Sequence, residues 1–446
     1  MKKLLLLGLA YLSLNAAMAQ ATEENFSLQQ AIDYGKKNSP TILNSKLDAD
    51  KSKEQVKEIL SVGLPQINGS VQWNDFLKLP ASFLPGTIVG RPANEYVKLT
   101  FGTTHQITAA IQATQLIFDG SYIVGLKAAK EVAILSKQIV AKSEIDIESN
   151  ITKAYYAALI LGENIKLVNE NLTRIEKLLF EMKQMNKNGF VESLDVDRLE
   201  LTLSNLQIAK ANLENSKEIS YKAIKLQMGY DVSKPIILTD NLEKLYTSDI
   251  GDMGAADFNI QGRIEYKLLR EQQALYKLDK QRYQYGYLPN LVLIGSVQSA
   301  LNRNNDNLFK STPQLPWVPS ALIGLRLGVP IFDGFQKQSK IAQANIQLRR
   351  LQNDSANLSN ALNLEYFAAK SKYQNALKML ELQKRSRDLS EKIYNTTSIK
   401  YKEGVSNSIE LQTADNDFKT AQTSYLNAIY ELLTAKSDLK KAMGGR

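Results

Sequence analysis

Residues able to do covalent or metal chemistry are scarce in this 446-residue chain. It has no cysteine and a single histidine, which removes thiol nucleophiles, thiolate metal sites and His-rich metal centres. His105 lies in "TTHQIT", at the start of an alternating stretch, and no G-x-S-x-G elbow accompanies it. A base without a nucleophile makes no triad. No phosphate-binding loop or dinucleotide fingerprint occurs either, so neither an enzyme nor a cofactor is expected. What does recur is a pairing of acid with glycine. "QLIFDG", ending at Gly120, returns as "VPIFDG", ending at Gly334; "NGFVESLDV" from Asn188 returns as "EGVSNSIEL" from Glu403.

The chemistry these junctions suit is that of helix starts. Asp119 and Asp333 can each accept from the free N–H groups of a following helix, with Phe118 and Phe332 at an interface and Gly120 and Gly334 supplying a tight turn. In the second pair, Asp195 and Glu410 follow Gly189 and Gly404 at the same spacing. Ser193 and Ser408 can cap the helices there, and an acid in the first turn complements the helix dipole.

Each junction belongs to a longer repeat. "LPQI" at Leu64 is echoed by "LPNL" at Leu288, and Met228-Gly229 by Met443-Gly444. The chain is therefore a tandem duplication of a unit of about two hundred residues. About ten extra residues between the LP and IFDG marks of the first unit fall most simply in a loop. The reading divides the chain into a signal peptide over about 1–19, a first repeat over 20–230, an inter-repeat segment over 231–262 and a second repeat over 263–446. Lys2, Lys3, a short apolar run and the small Ala17 and Ala19 make the signal peptide, so the chain is exported; without cysteine it takes no lipid anchor. No later stretch approaches the roughly 18 apolar residues of a membrane helix. The net charge of +9 is interspersed, as in "KSKEQVKE", and has no basic stripe for nucleic acid.

The elements that must hold these junctions are long helices and short strands. No proline interrupts the chain between Pro92 and Pro235 or after Pro330. Leu161, Ile165, Val168, Leu172, Ile175, Leu179 and Met182 alternate in steps of four and three. So do Leu411, Ala414, Phe418, Ala421, Tyr425, Ala428, Leu432, Ala435, Leu439 and Ala442. This is a coiled-coil period, and a helix from Ser121 to Asn188 would be ~100 Å long, enough to cross a periplasm-sized gap. Period-two stretches occur only beside the LP and IFDG marks, predicting strands over about 64–78, 101–118, 288–302 and 319–332. Ile67, Val71 and Trp73, Ile107 and Ile111, Leu291, Leu293 and Val297, and Ile323, Leu325 and Leu327 form their apolar faces. Gln72, Gln112, Gln298 and Arg326 stand among the residues of the other face. Alternation alone does not say which face meets water. In an exported chain four such strands fit a share of an outer-membrane barrel, and since barrels need about eight strands or more, the chain would have to oligomerise. The prolines and aromatics of "LKLPASFLPGTIVGRPANEYVKL" and "NRNNDNLFKSTPQLPWVPS" are expected in loops.

The duplicated helix-strand-strand-helix unit, the LP strand entries, the IFDG strand exits and the two glycine turns together resemble the TolC-type outer membrane efflux protein family. The resemblance covers nearly all of the mature sequence. It implies an α+β membrane protein in which long coiled-coil helices build a periplasmic α-barrel. Each chain would contribute four strands to a trimeric twelve-stranded outer-membrane β-barrel set in lipid. It further implies a passive exit duct of an efflux or type I secretion system, with a periplasmic adaptor and an inner-membrane transporter as partners. By position, the tip gripped by the adaptor would hold Gly189, Ser193, Asp195, Gly404, Ser408 and Glu410. The family's constriction would fall at Glu410 and, where a further acid is common, at Thr413, whose first-repeat counterpart is Arg198. The segment 231–262 would join a collar; its residues alone indicate a linker with one short strand. The competing expectation is a periplasmic coiled-coil scaffold without a pore.

Overall fold

A computed structural model describes residues 24–247, 258–304 and 316–444. The signal peptide expected over 1–19 lies outside the described residues, as does part of the inter-repeat segment. In chain order the elements are β1 (Glu24–Phe26), α1 (Leu28–Asn38), α2 (Pro40–Ser61), β2 (Gln66–Asp75), β3 (Ala81–Pro85), β4 (Tyr96–Thr100), β5 (His105–Phe118), α3 (Gly120–Lys187) and α4 (Ser193–Met228). They continue with β6 (Ile236–Leu238), α5 (Leu242–Thr247), α6 (Ile264–Tyr285), β7 (Asn290–Arg303), β8 (Val318–Gly328), α7 (Gln336–Lys402) and α8 (Ser408–Ala442). The fold is α+β, and helix, two strands and long helices recur in each repeat. Two compact units result, each discontinuous in sequence: a helical unit of Met1–Ala49, Ser136–Arg270 and Asn353–Arg446, and a sheet unit of Asp50–Leu135 and Glu271–Gln352.

In the helical unit all ten predicted seam positions of α8, Leu411 to Ala442, are buried. Alternating a large residue with alanine lets helices approach closely while keeping the core filled. On α3, Leu172, Ile175, Leu179 and Met182 are buried too, whereas Leu161, Ile165 and Val168 are half-buried. The main core gathers Ile151 and Tyr155 of α3, Ile224 and Met228 of α4, Tyr373 of α7, and Leu432 and Leu439 of α8. Beside it β1 pairs in parallel with β6, the short strand anticipated in the inter-repeat segment. Tyr155 fastens this pair, its buried hydroxyl donating to the Phe26 carbonyl at 2.9 Å. Arg263, 2 % exposed, donates to the Lys441 carbonyl at the end of α8 and to the carboxylates of Glu265 and Glu365, each at 3.0 Å. Its charge is thus compensated, as a buried cation requires.

In the sheet unit the order is β2-β5-β7-β8, all antiparallel, so the two hairpins of the two repeats join through β5 and β7. The register aligns Val71, Ala109 and Ser299 across three strands, and Gly69, Ile111, Val297 and Ala321 across four. Every predicted apolar position therefore falls on one face. The other carries rows such as Asn68, Gln112, Ser296 and Leu322. Most of the apolar face is bare: Ile67, Val71, Ile111, Val297, Ile323 and Leu325 are all between 60 and 78 % exposed.

Three local expectations are corrected. The first loop contains a hairpin, β3 with β4; each strand is only five residues long, so no periodicity could show. The strand expected to reach 332 stops at Gly328, because Pro330 has no N–H to continue a ladder. At the first IFDG copy, Asp119 does accept from Tyr122 N–H at 2.8 Å, but Gly120 is already helical and supplies no positive-φ turn. Its smallness serves packing instead, since a Cβ there would lie 2.8 Å from the Tyr285 carbonyl oxygen. At the second copy the turn is real. Gly334 (φ 62°) and Phe335 (φ 65°) are both left-handed, Phe332 packs edge-on to Phe335 at 5.4 Å, and Asp333 accepts from Lys337 N–H at 3.1 Å.

Candidate functional site: the paired helix turns

Helices α3 and α7 end in the same way. Gly189 (φ 77°) and Gly404 (φ 72°) take the left-handed conformation that only glycine adopts at little cost. Phe190 N–H then bonds back to the Met185 carbonyl and Val405 N–H to that of Lys400, both at 2.9 Å. These are Schellman closures, which satisfy carbonyls that a helix end leaves free. Phe190 and Val405 are strongly exposed at the two turns.

The next helices do not start on their serines. Ser193 and Ser408 are the first helical residues, not the caps; Glu192 precedes α4 without a side-chain cap, and Asn407 caps α8 by accepting from Glu410 N–H at 2.8 Å. Asn407 has the extended backbone that a cap needs. The freed Ser408 hydroxyl donates to Asp195 Oδ1 at 2.6 Å, joining α8 to α4. Arg198 lies 3.6 Å from the same oxygen. Burial, with the Asp195 charge adding to it, raises the Tyr401 hydroxyl above its ordinary pKa, and that hydroxyl donates to Met182 Sδ at 2.7 Å. Glu410 instead faces solvent, accepting from the Ser406 hydroxyl on its own turn. Thr413 is exposed as well, its hydroxyl returned to the Ile409 carbonyl at 2.8 Å. The turns thus unite Asp195 with Ser408 and leave Glu410 and Thr413 open.

A charged cluster that sequence reasoning missed lies a few helical turns away. Asp415, whose side chain is 6 % exposed, accepts from Arg174 at 2.8 Å and pairs with Lys419. The Arg174 guanidinium also packs over the rings of Tyr394 (4.7 Å) and Phe418 (5.4 Å) and donates to Asn171 at 2.7 Å. Asp415 follows the seam residue Ala414, and that adjacency was its one sequence signal.

The remaining features are structural. His105 faces Asp75 at 3.2 Å and tilts toward Trp73 on β2. Among the described residues, no group of three His, Asp or Glu could hold a metal and no helix is long and apolar enough to cross a membrane.

The family model of the outer membrane efflux protein matches residues 268–445. This stretch is similar to an outer membrane efflux protein domain. It takes in most of α6, the strands β7 and β8, and both long helices of the second repeat. Solved structures show the same fold over nearly the whole chain. CusC, described as forming a transmembrane channel, superposes with a TM-score of 0.75 at 14 % identity over 94 % of this chain and 92 % of its own. The Campylobacter jejuni CmeC outer membrane channel gives 0.72 at 16 % identity, over 94 and 85 %. The open state of the Neisseria gonorrhoeae MtrE outer membrane channel gives 0.71 at 15 % identity, over 94 and 89 %. These relatives in fold are described as channels. Among curated proteins none matches the sequence.

Proposed function

We propose that three copies of this chain form an outer-membrane exit duct, which passively carries substrates out of the cell as part of a tripartite efflux or type I secretion system. The observation that carries this reading is the bare apolar face of the four-stranded sheet. From Pro319 to Leu327, where every residue of the face is exposed, it runs about 27 Å along β8 at ~3.4 Å per residue. Tilted at ~40°, that is about 21 Å, most of the ~25 Å apolar band of an outer-membrane barrel. Water would not tolerate so large a patch on a monomer, whereas lipid would cover it. The sheet also ends in two unpaired edges, β2 and β8; pairing β8 of one copy with β2 of the next closes a twelve-stranded barrel and removes both.

In this reading the two repeats are the structural units, the signal peptide exports the chain, and the helices extend into the periplasm. The turns at Gly189 and Gly404, with Ser193, Asp195 and Ser408, form the tip that a periplasmic adaptor of an inner-membrane transporter grips. Exposed Glu410 narrows the entrance, with Thr413 a turn behind it. Membrane fractionation and planar-bilayer recording test the proposal together. The duct requires outer-membrane localisation, extraction only by detergent, and a conductance; growth of that conductance in Glu410→Ala would place the constriction at the second turn, and no change would move it elsewhere. Recovery in the soluble periplasmic fraction would overturn it in favour of a coiled-coil scaffold.

A further inference from the structure

The polar face of the sheet is nearly free of charge. Its rows are built from amides, hydroxyls and apolar side chains, and among the described residues Arg326 of β8 is its only ionised group. Arg326 sits in the row of Leu116 and Val292, neither of which can pair with it. Its neighbours two residues away on the same face are Gly324 and Gly328, which offer no side chain to shield it. The guanidinium is exposed and has no carboxylate partner among the described residues.

We propose that Arg326 gives the barrel a local bias toward anionic over cationic solutes, opposite in sign to that of the Glu410 entrance. The inference rests on the barrel reading, in which three copies place three guanidinium groups in one ring. Twelve strands ~4.8 Å apart and tilted by ~40° close a barrel of radius about 12 Å. The Debye length is ~30 Å at 0.01 M salt, so there the ring's field fills the lumen; at 1 M it is ~3 Å and the field stays at the wall. The preference is therefore strong at low salt and vanishes at high salt.

Reversal potentials in planar bilayers under a KCl gradient centred near 10 mM test this. Relative to wild type, Arg326→Gln lowers the chloride-to-potassium permeability ratio and Arg326→Glu lowers it at least threefold, with no difference between them at 1 M. Channels that conduct but keep the same ratio in all three proteins would overturn the role of Arg326 and leave the duct intact. A second measurement serves a channel that stays closed. The chain has no cysteine, and a side chain at Gly324 meets nothing within 4 Å, so Gly324→Cys reports on this spot alone. In proteoliposomes at 10 mM salt it should react several-fold faster with a sulfonated thiol reagent than with a trimethylammonium one, and Arg326→Gln should abolish the difference. Equal rates with intact Arg326 overturn the proposal; failure of both water-soluble reagents to react overturns the barrel reading with it.

Discussion

Replacing Asp415 by alanine should loosen α8 near the turns far more than replacing its partner Arg174. Asp415 is almost fully buried and neutralises two cations, Arg174 at 2.8 Å and Lys419 on its own helix. Removing one member of a buried pair costs ~3–5 kcal/mol, because the remaining charge is left without compensation. Arg174 is 24 % exposed and keeps its bond to Asn171 and its aromatic neighbours, so it can partly rehydrate. The lower end of the range, about 3 kcal/mol, therefore applies. At 1.4 kcal/mol per decade this is a ~100-fold loss of protection in native-state hydrogen exchange of the amides around Ala414 to Ala421. Arg174→Leu leaves Asp415 still paired with Lys419 and should cost no more than ~1–2 kcal/mol, roughly a tenfold change. The double variant Arg174→Met, Asp415→Leu should recover most of the loss, since apolar replacement of a buried pair is often neutral. Protection within threefold of wild type in Asp415→Ala, or a larger effect from Arg174→Leu, would refute the reasoning.

Further outcomes follow from individual positions. Gly404→Ala meets only backbone strain, as nothing lies within 4 Å of its Cβ, and should cost ~1–2 kcal/mol in thermal unfolding. Gly229→Ala adds a clash at 2.3 Å with the Asn38 carbonyl oxygen and should be clearly worse, ranking the two by melting temperature. Leu439→Ala, at a fully buried seam position, should cost ~2–5 kcal/mol in denaturant unfolding; a cost under ~1 kcal/mol would mean the seam can collapse around it. Burial pushes the Glu148 carboxyl up, but Lys36 and Lys440 more than offset this and hold it below its ordinary 4.5. Asp146, buried likewise, is held below 3.8 by Lys142 and Lys441. Carboxylates with lowered folded pKa values stabilise above the unfolded pKa and lose that contribution as pH falls through the folded one. Circular-dichroism melts should accordingly be flat from pH 7 to about 5 and weaken below about pH 4.5, the loss being smaller in Glu148→Gln.

Legibility in the sequence followed the range of the interaction. The α8 seam could be read because ten positions repeat one period within a single helix, and the four long strands because each alternates over ten residues or more. The β3–β4 hairpin is too short for either signal. The cap at Asn407 rather than Ser408 was hidden because both residue types cap helices, and only the backbone decides which one is extended. Pairings between distant segments left no trace. Asp415 meets Arg174 across 241 residues and Ser408 meets Asp195 across 213. The joining of β5 to β7, which merges the two repeats into one sheet, is likewise a tertiary fact that no local pattern encodes.

The most direct test of the central claim, that the bare face of the sheet meets lipid and the other face meets water, is a cysteine scan of β8 from Ala321 to Gly328 in reconstituted membranes. The cysteine-free chain supplies a clean background. The account predicts alternation: positions 322, 324, 326 and 328 modified by water-soluble thiol reagents, and 321, 323, 325 and 327 only by reagents dissolved in the bilayer. Uniform reaction with water-soluble reagents along the strand, or the opposite phase, would contradict it.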